Sequence, residues 1–375
     1  MKHLKIVYLR NFFRISLQSA LNRILLILDV IALILLLFPG IIISPTIIVV
    51  GNLFIITISS THIYIKRSYR NLDTPEDVLL EHTYHINALA LSSDNKRLVS
   101  CSGDRYAILW DLETKRAIYR MKHPAWVGNI VFSGDDLLLF ALSGKNENLF
   151  VWDLIYHEHL FSVEANAGDE GARGLALSKS GKKLVSSGSD GYVFIFDSID
   201  LHDSPLKIKV SHKELRKVAV SEFGDKIFTG DTEGKVYQCS LIKNNKYEVK
   251  EIYTSSNNEM IRSVRLSTNG NLLSISDSGG WITLLRLSDM QSKTFKAHKG
   301  HAVCTAFTLN DCFLASGGQD EIIRIWDIRG NIPKKVLEAK GHNNSISAVL
   351  FNEYLELYST GRDGKIMIWN LKGLY

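Results

Sequence analysis

The sequence predicts an all-β, seven-bladed propeller preceded by an N-terminal transmembrane α-helical hairpin. Two observations carry the propeller and one carries the anchor. The stretch Cys312–Gly330 alternates Leu314-Ala315-Ser316 into a Gly317-Gly318 turn, then resumes through Ile323 and Ile325 to Trp326-Asp327. Period-two apolar spacing on both sides of a Gly-rich turn is the pattern of a β-hairpin. Its ending recurs at Trp110-Asp111, Trp152-Asp153, Phe196-Asp197 and Trp369-Asn370, with eroded copies around Gln238 and Leu285. Taking Trp110, Trp152, Phe196, Gln238, Leu285, Trp326 and Trp369 as equivalent, the steps are 42, 44, 42, 47, 41 and 43 residues. That period implies four short strands per repeat and a ring of seven. The anchor is predicted by the 42 residues from Ile24 to Ile65, whose single charge is Asp29.

Taken in order, residues 1–23 form a basic amphipathic segment without an acidic residue, in which Lys2, Lys5, Arg10 and Arg14 interleave with Ile6, Leu9, Phe12, Phe13 and Leu17. Such a segment suits an anionic membrane surface, and equally a mitochondrial targeting sequence. Residues 24–65 are long enough for two membrane helices of ~20 residues each. Pro39-Gly40 would end the first, at about 19–38, and Ser44-Pro45 would cap the second, at 45–65. A hairpin that enters and returns without fully crossing is the alternative. Asp29 would pair across the hairpin, with Asn52 as the candidate partner, or mark a functional site. Basic residues on both flanks (Arg10, Arg14, Arg23; Lys66, Arg67, Arg70) place both ends on the cytoplasmic side. The expected location is therefore integral to a membrane with the propeller cytoplasmic, the endoplasmic reticulum first and a mitochondrial membrane as the alternative. Cys101, Cys239, Cys304 and Cys312 lie in different repeats without a CxxC, as expected for reduced thiols that hold no metal. The sequon Asn343-Asn344-Ser345 would stay unmodified there.

Residues 66–76 read as a linker, and 77–375 as the propeller. The seventh repeat ends at Trp369 without an outer strand, which Val78–Leu80 can supply, closing the ring and removing its exposed sheet edges. Three repeats carry the same polar set: His82, Ser100, Asp104 and Trp110; His298, Ser316, Asp320 and Trp326; His342, Ser359, Asp363 and Trp369. At these residues the chain, from about Asp77 to Tyr375, resembles the WD-repeat family. The resemblance implies that each set is a buried hydrogen-bonded network fixing one blade. A Ser-His-Asp set could also suggest a hydrolase, but an active site would not recur in three blades. The third repeat lacks the His and uses Phe196, and the second offers Asn146 near the Asp position. The fourth and fifth lose most of the set and are expected to rely on apolar packing, as the softer part of the ring.

Charge narrows the function. Residues 1–72 hold eight Lys/Arg and one acid, for +7; the remaining 36 basic and 38 acidic residues leave −2. A nearly neutral propeller argues against nucleic acid. No phosphate-binding Gly loop or HExxH is present, so no catalytic residue, cofactor, metal or small-molecule substrate is expected, and His157 and His159 read as a solvated loop. Aligning the residue before each first strand gives a mouth ring of His85, Trp126, Gly171, Glu214, Met260, Ala302 and Ser345, with Arg173, Arg216 and Arg262 near the rim. The partner-binding candidates are His85, Trp126, Arg173, Glu214 and Met260, with Trp126 and Met260 as apolar anchors; packing of Trp126 on a neighbouring blade is the competing role.

The order of membrane segment, linker and propeller is similar to the C-terminal part of the SREBP cleavage-activating proteins, without their sterol-sensing helices. The expected function is a membrane-tethered, non-enzymatic scaffold or adaptor that presents a cytoplasmic propeller face to protein partners, in endoplasmic-reticulum trafficking or cargo escort. Membrane lipid would be contacted through residues 1–70. The alternatives are a guanine nucleotide exchange factor for a small GTPase, since Sec-twelve-type exchange factors also pair a propeller with an anchor, and a cullin-ligase substrate receptor. The latter comes from Trp326-Asp327-Ile328-Arg329, which fits that class's WDxR pattern.

Overall fold

The computed structural model describes residues 46–50, 53–57, 70–144, 148–165, 172–243 and 246–372. The chain divides into two units, Met1–Tyr69 and Arg70–Tyr375. The second unit is a ring of seven antiparallel sheets spanning 86–122, 127–164, 172–209, 215–254, 261–296, 302–340 and 346–370, taken here as blades one to seven. Within a blade the second strand is almost wholly buried, as in Leu138–Ser143, because neighbouring blades cover both its faces. The fourth strand alternates, as in Arg116–Lys122, because it is the outer edge and only one face packs inward. Apolar clusters sit between blades, so each blade is held by its two neighbours.

The seventh blade has only three strands of its own. Asp77–Leu79 supplies the fourth, pairing antiparallel with Ile366–Ile368. Leu79 is buried with Ile366 and Ile368 of blade seven and with Leu98 and Trp110 of blade one. The start of the domain thus seals the seam at its end. Arg70–Leu72, in the segment read as linker, adds a fifth strand to blade six, parallel to Leu337–Ala339.

The membrane helix expected over 45–65 is overturned. Thr46–Val50 and Leu53–Thr57 are antiparallel strands, in register from Thr46↔Thr57 to Val50↔Leu53. Among the described residues no helix is long and apolar enough to cross a membrane. The β-branched runs on either side of Gly51-Asn52 explain this: Thr, Val and Ile are stiff at χ1 and favour extended backbone. A two-residue Gly-Asn step between such runs is a hairpin signal. The transmembrane α-helical hairpin is therefore withdrawn, and with it the support it lent to a membrane-anchored orientation. Residues 1–23, the helix expected over 19–38, Asp29, Asn52, Lys66 and Arg67 lie outside the described residues.

The polar sets are assembled in three blades. In blade one His82 Nδ1 lies 2.7 Å from Asp104 Oδ2, His82 Nε2 lies 2.7 Å from Ser100 Oγ, and Trp110 Nε1 donates to that Oγ at 2.8 Å. Blades six and seven repeat this through His298, Ser316, Asp320 and Trp326, and through His342, Ser359, Asp363 and Trp369, at 2.8–2.9 Å. Burial, the largest single influence, would raise the Asp363 carboxyl, but the hydrogen bond and charge of His342 and the amides of Asn343 and Lys365 together outweigh it and hold the group below its ordinary range.

Two expectations about the eroded blades need correction. In blade four Ile227 pairs with Cys239, as Leu98 pairs with Trp110, so Cys239 rather than Gln238 occupies the Trp position. Nor do blades four and five rely on apolar packing alone. Buried Asp231, at the end of the second strand, accepts from Ser211 Oγ at 2.8 Å and Tyr237 Oη at 3.0 Å. A hydroxyl chain runs from Tyr253 of blade four to Thr283 and Thr294 of blade five at 2.8–2.9 Å.

Blade two shows what a missing member costs. Ala141 stands where blade one has Ser100, opposite Phe150 as Ser100 is opposite Ile108. Without that hydroxyl, both ring nitrogens of His123 and the indole Nε1 of Trp152 are buried with no partner among the described residues. His159 is solvent-exposed as expected, but it lies on the outer strand rather than in a loop and packs on Trp152, with ring centroids 5.4 Å apart. Burial, then the neighbouring His159, lowers the His123 pKa from 6.5 to about 4. The unfolded chain therefore binds this proton more readily, and stability is expected to fall as pH drops from about 6.5 toward about 4. Ala141→Ser is expected to raise stability by about 1 kcal/mol at pH 7 by bridging His123 and Trp152. Urea unfolding at pH 7 and pH 5 checks both; a flat pH response, or no gain from the serine, would contradict this account of blade two.

Candidate functional site

Strand direction gives the ring two different faces. The first strands start, and the turns between second and third strands lie, on the mouth face; the turns after first and third strands lie on the other. The residue before each first strand closes the second-to-third turn with its carbonyl. His85, Trp126, Glu214, Met260, His301 and Ser345 accept the amides of Gly103, Gly144, Thr232, Ser278, Gln319 and Arg362 at 2.8–3.2 Å. In blade six the position belongs to His301 rather than Ala302, which is the fully buried first residue of its strand. Gly171 lies outside the described residues.

The mouth opens into a cavity of about 610 Å³ lined by Tyr84, His85, Trp126 and a set of cations: Arg173, Arg216, Lys217, Arg262 and Arg362. Among the described residues no Asp or Glu lines it. Arg173, Arg216 and Arg262 are the second residues of the innermost strands of blades three, four and five, so the repeat itself sets three guanidiniums in an arc. Glu214, on the rim, is their carboxylate neighbour, 2.9 Å from Arg173 Nε and 3.4 Å from Arg216 Nε. Deeper along the axis, Lys217 and Arg265 line the constriction. Enclosure, and next the charge of Arg265, brings the Lys217 ammonium down to about 8. Enclosure and then Arg216, Arg362 and Arg173 lower the Arg262 pKa, and burial followed by Arg362 lowers that of His85. These groups converge closely enough to disfavour one another's charge.

The structure brings His85, Trp126 and Arg173 to the cavity and sets Glu214 on Arg173. Met260 does not line the cavity; its sulfur instead receives a long contact, 3.7 Å, from Arg262 Nη1. Trp126 is half-buried, and it packs against Gly144 of its own blade and under the Arg173 guanidinium of the next, 5.8 Å from the ring centroid. It is thus both rim and packing residue. Tyr84, Lys217, Arg265 and Arg362 were not among the sequence candidates. Arg173, Arg216 and Arg262, two residues past the mouth residue in three successive repeats, were legible near the rim; the convergence of Lys217, Arg265 and Arg362 with them is concealed by a summed charge of −2.

A ring of four-stranded blades braced by repeated His–Ser–Trp–Asp sets defines a WD-repeat propeller, and the chain belongs to that family. The WD domain, G-beta repeat model matches residues 74–111, 159–197, 290–327 and 333–370. The long unmatched stretch holds blades four and five, where Cys239 and Leu285 replace the Trp. The chain is 24% identical to cilia- and flagella-associated protein 52 of Chlamydomonas reinhardtii over 79% of its length and 49% of that protein. It is 24% identical to actin-interacting protein 1 of Caenorhabditis elegans, over 80% and 49% of the two chains. A third relative is p21-activated protein kinase-interacting protein 1-like of Danio rerio, 24% identical over 80% and 67%. The chain spans about half the length of the first two.

The mouth residues depend on space left by the turn. A Cβ at Gly144 would come within 1.8 Å of Trp126 Cε2. Gly144→Ala is expected to push the indole off its seat, move its N–H resonance and cost about 1–3 kcal/mol. Heteronuclear NMR of the indole region with denaturant unfolding checks this; an unmoved Trp126 resonance would show that the ring is not held there.

Proposed function

We propose that this chain is a non-catalytic protein-interaction scaffold whose mouth face receives its partner. The observation that carries the reading is the open, cation-lined cavity set on a ring whose blades are mutually packed and closed end to end. Such a site is held on strands rather than on long loops, so binding orders little of the protein. Trp126, Tyr84 and the arginines are the residue types that anchor interfaces. The names of actin-interacting protein 1 and of the kinase-interacting relative describe binding to other proteins, which suits the same role here. The WDxR pattern lends nothing further to a ligase-receptor reading. Arg329 is drawn back onto Asp327 of its own turn, with Nε 2.9 Å from Oδ1 and Nη2 2.6 Å from Oδ2, and it lies over Phe313.

The test compares the two faces in the full chain. A photo-crosslinking amino acid at Trp126, on the mouth, is expected to give a discrete protein adduct in cells. The same group at Tyr156, in the exposed third-to-fourth turn of blade two on the opposite face, is not. Adducts from Tyr156 with none from Trp126 would overturn the assignment. Accelerated GDP release from a small GTPase by the purified chain would replace the scaffold reading with the exchange-factor one.

A further inference from the structure

We infer that the mouth recognises a peptide segment bearing two closely spaced phosphorylated side chains. The inference rests on the mouth being the partner site and names the chemistry it selects. Charge counting comes first. Glu214 answers Arg173 and Arg216. Four further cations, Lys217, Arg262, Arg265 and Arg362, line the cavity or its constriction with no carboxylate in ion-pair range among the described residues. They are drawn from blades four, five and seven, so the excess charge meets across the axis instead of spreading over a rim.

Such an arrangement is costly when empty. Enclosure and the like charges of Arg216, Arg362 and Arg173 act against the Arg262 charge and outweigh the favourable charge of Glu214. A ligand that relieves this repulsion gains it as binding energy. One carboxylate is too little. Each phosphate brings about −1.5 to −2 at neutral pH and three acceptor oxygens, so two phosphates match four cations. Guanidinium groups suit phosphate oxygens because they bond them in pairs.

The apolar part of the rim favours peptide over nucleic acid. Trp126 already carries Gly144 and Arg173 against its ring, and the Tyr84 and His85 rings lean on each other with centroids 4.3 Å apart. These aromatics are engaged with their neighbours and offer no row of open faces on which bases could stack. A side chain next to a phosphorylated residue can instead lie along the exposed part of Tyr84, which is 60% accessible.

The experiment is fluorescence anisotropy on the purified full chain with a short labelled peptide carrying two phosphoserines. The expected result is binding that weakens by at least about tenfold when both are plain serine, or with either Arg262→Ala or Arg362→Ala. Arg262→Lys should recover part of the loss. Binding should also weaken as salt rises, because the Debye length shrinks from about 10 Å at 0.1 M to about 3 Å at 1 M. Arg120→Ala, on an outer strand away from the mouth, should leave affinity unchanged, and Arg262→Ala and Arg362→Ala should melt no lower than the parent protein. Equal affinity for the serine peptide overturns the inference. So does phosphopeptide binding indifferent to Arg262 and Arg362, or tighter binding of a single-stranded oligonucleotide. Binding of inositol hexakisphosphate without the peptide overturns it too, by showing that the phosphates are not presented on a chain. If the phosphopeptide fails while the adduct at Trp126 persists, only the chemistry is wrong; if the adduct is absent as well, the mouth assignment fails with it.

Discussion

The pairing of Asp77–Leu79 with Ile366–Ile368 is the constraint on which the rest of the ring depends. Six blades each contain four strands that follow one another in sequence, whereas the seventh has its fourth only when the two ends of the domain meet. That junction buries Leu79 between blades one and seven, with Trp110 and Tyr358 in the same cluster. Burying one such leucine is worth about 1.5–3 kcal/mol, and the strand also satisfies an open sheet edge. The mouth is built across the same seam: Tyr84 and His85 come from blade one, and Ser345 and Arg362 from blade seven. A ring open at this point would keep most of its sheets and lose the shape of its cavity.

Polar chemistry inside the blades is distributed, not uniform. Where all four members of the His–Ser–Trp–Asp set are present, each buried donor and acceptor has a partner, and the network ties the inter-blade segment to the second and third strands. Where members are missing, blade four substitutes a buried Asp231 with its own hydroxyl donors. Among the described residues blade two substitutes nothing, and leaves a neutral histidine and an indole N–H unanswered. Its stability then leans on apolar contacts such as His123 against Phe150 and Trp152. Unsatisfied groups in a low-dielectric interior are expensive, so this blade is the weak point of the ring on physical grounds.

Much of this was legible in the residues, and the exceptions share a cause. The number of blades and the closing strand could be read because a large, rare residue marks each repeat at a fixed distance. Where Trp is replaced, the marker is lost, and the register slipped by one at Gln238 and Cys239. The run over 45–65 was misread because apolarity without charge does not distinguish a membrane helix from a strand pair. The β-branched residues around Gly51-Asn52 carried that distinction. At the mouth, His85, Trp126 and Arg173 were reachable by repeat alignment. Arg362 and Lys217 were not, because their convergence is a property of the closed ring and an overall charge averages it away.

Deleting Glu76–Leu79 from the full chain, with hydrogen exchange followed strand by strand, tests the dependence on closure most directly. The account predicts that protection is lost first in Glu356–Gly361 and Ile366–Asn370 and in the adjoining Arg97–Ser102. The internal blades three to five should keep theirs, and the melting temperature should fall by several degrees. Unchanged protection in blade seven, with an unchanged melting temperature, would show that the ring stands without its latch and would contradict the account.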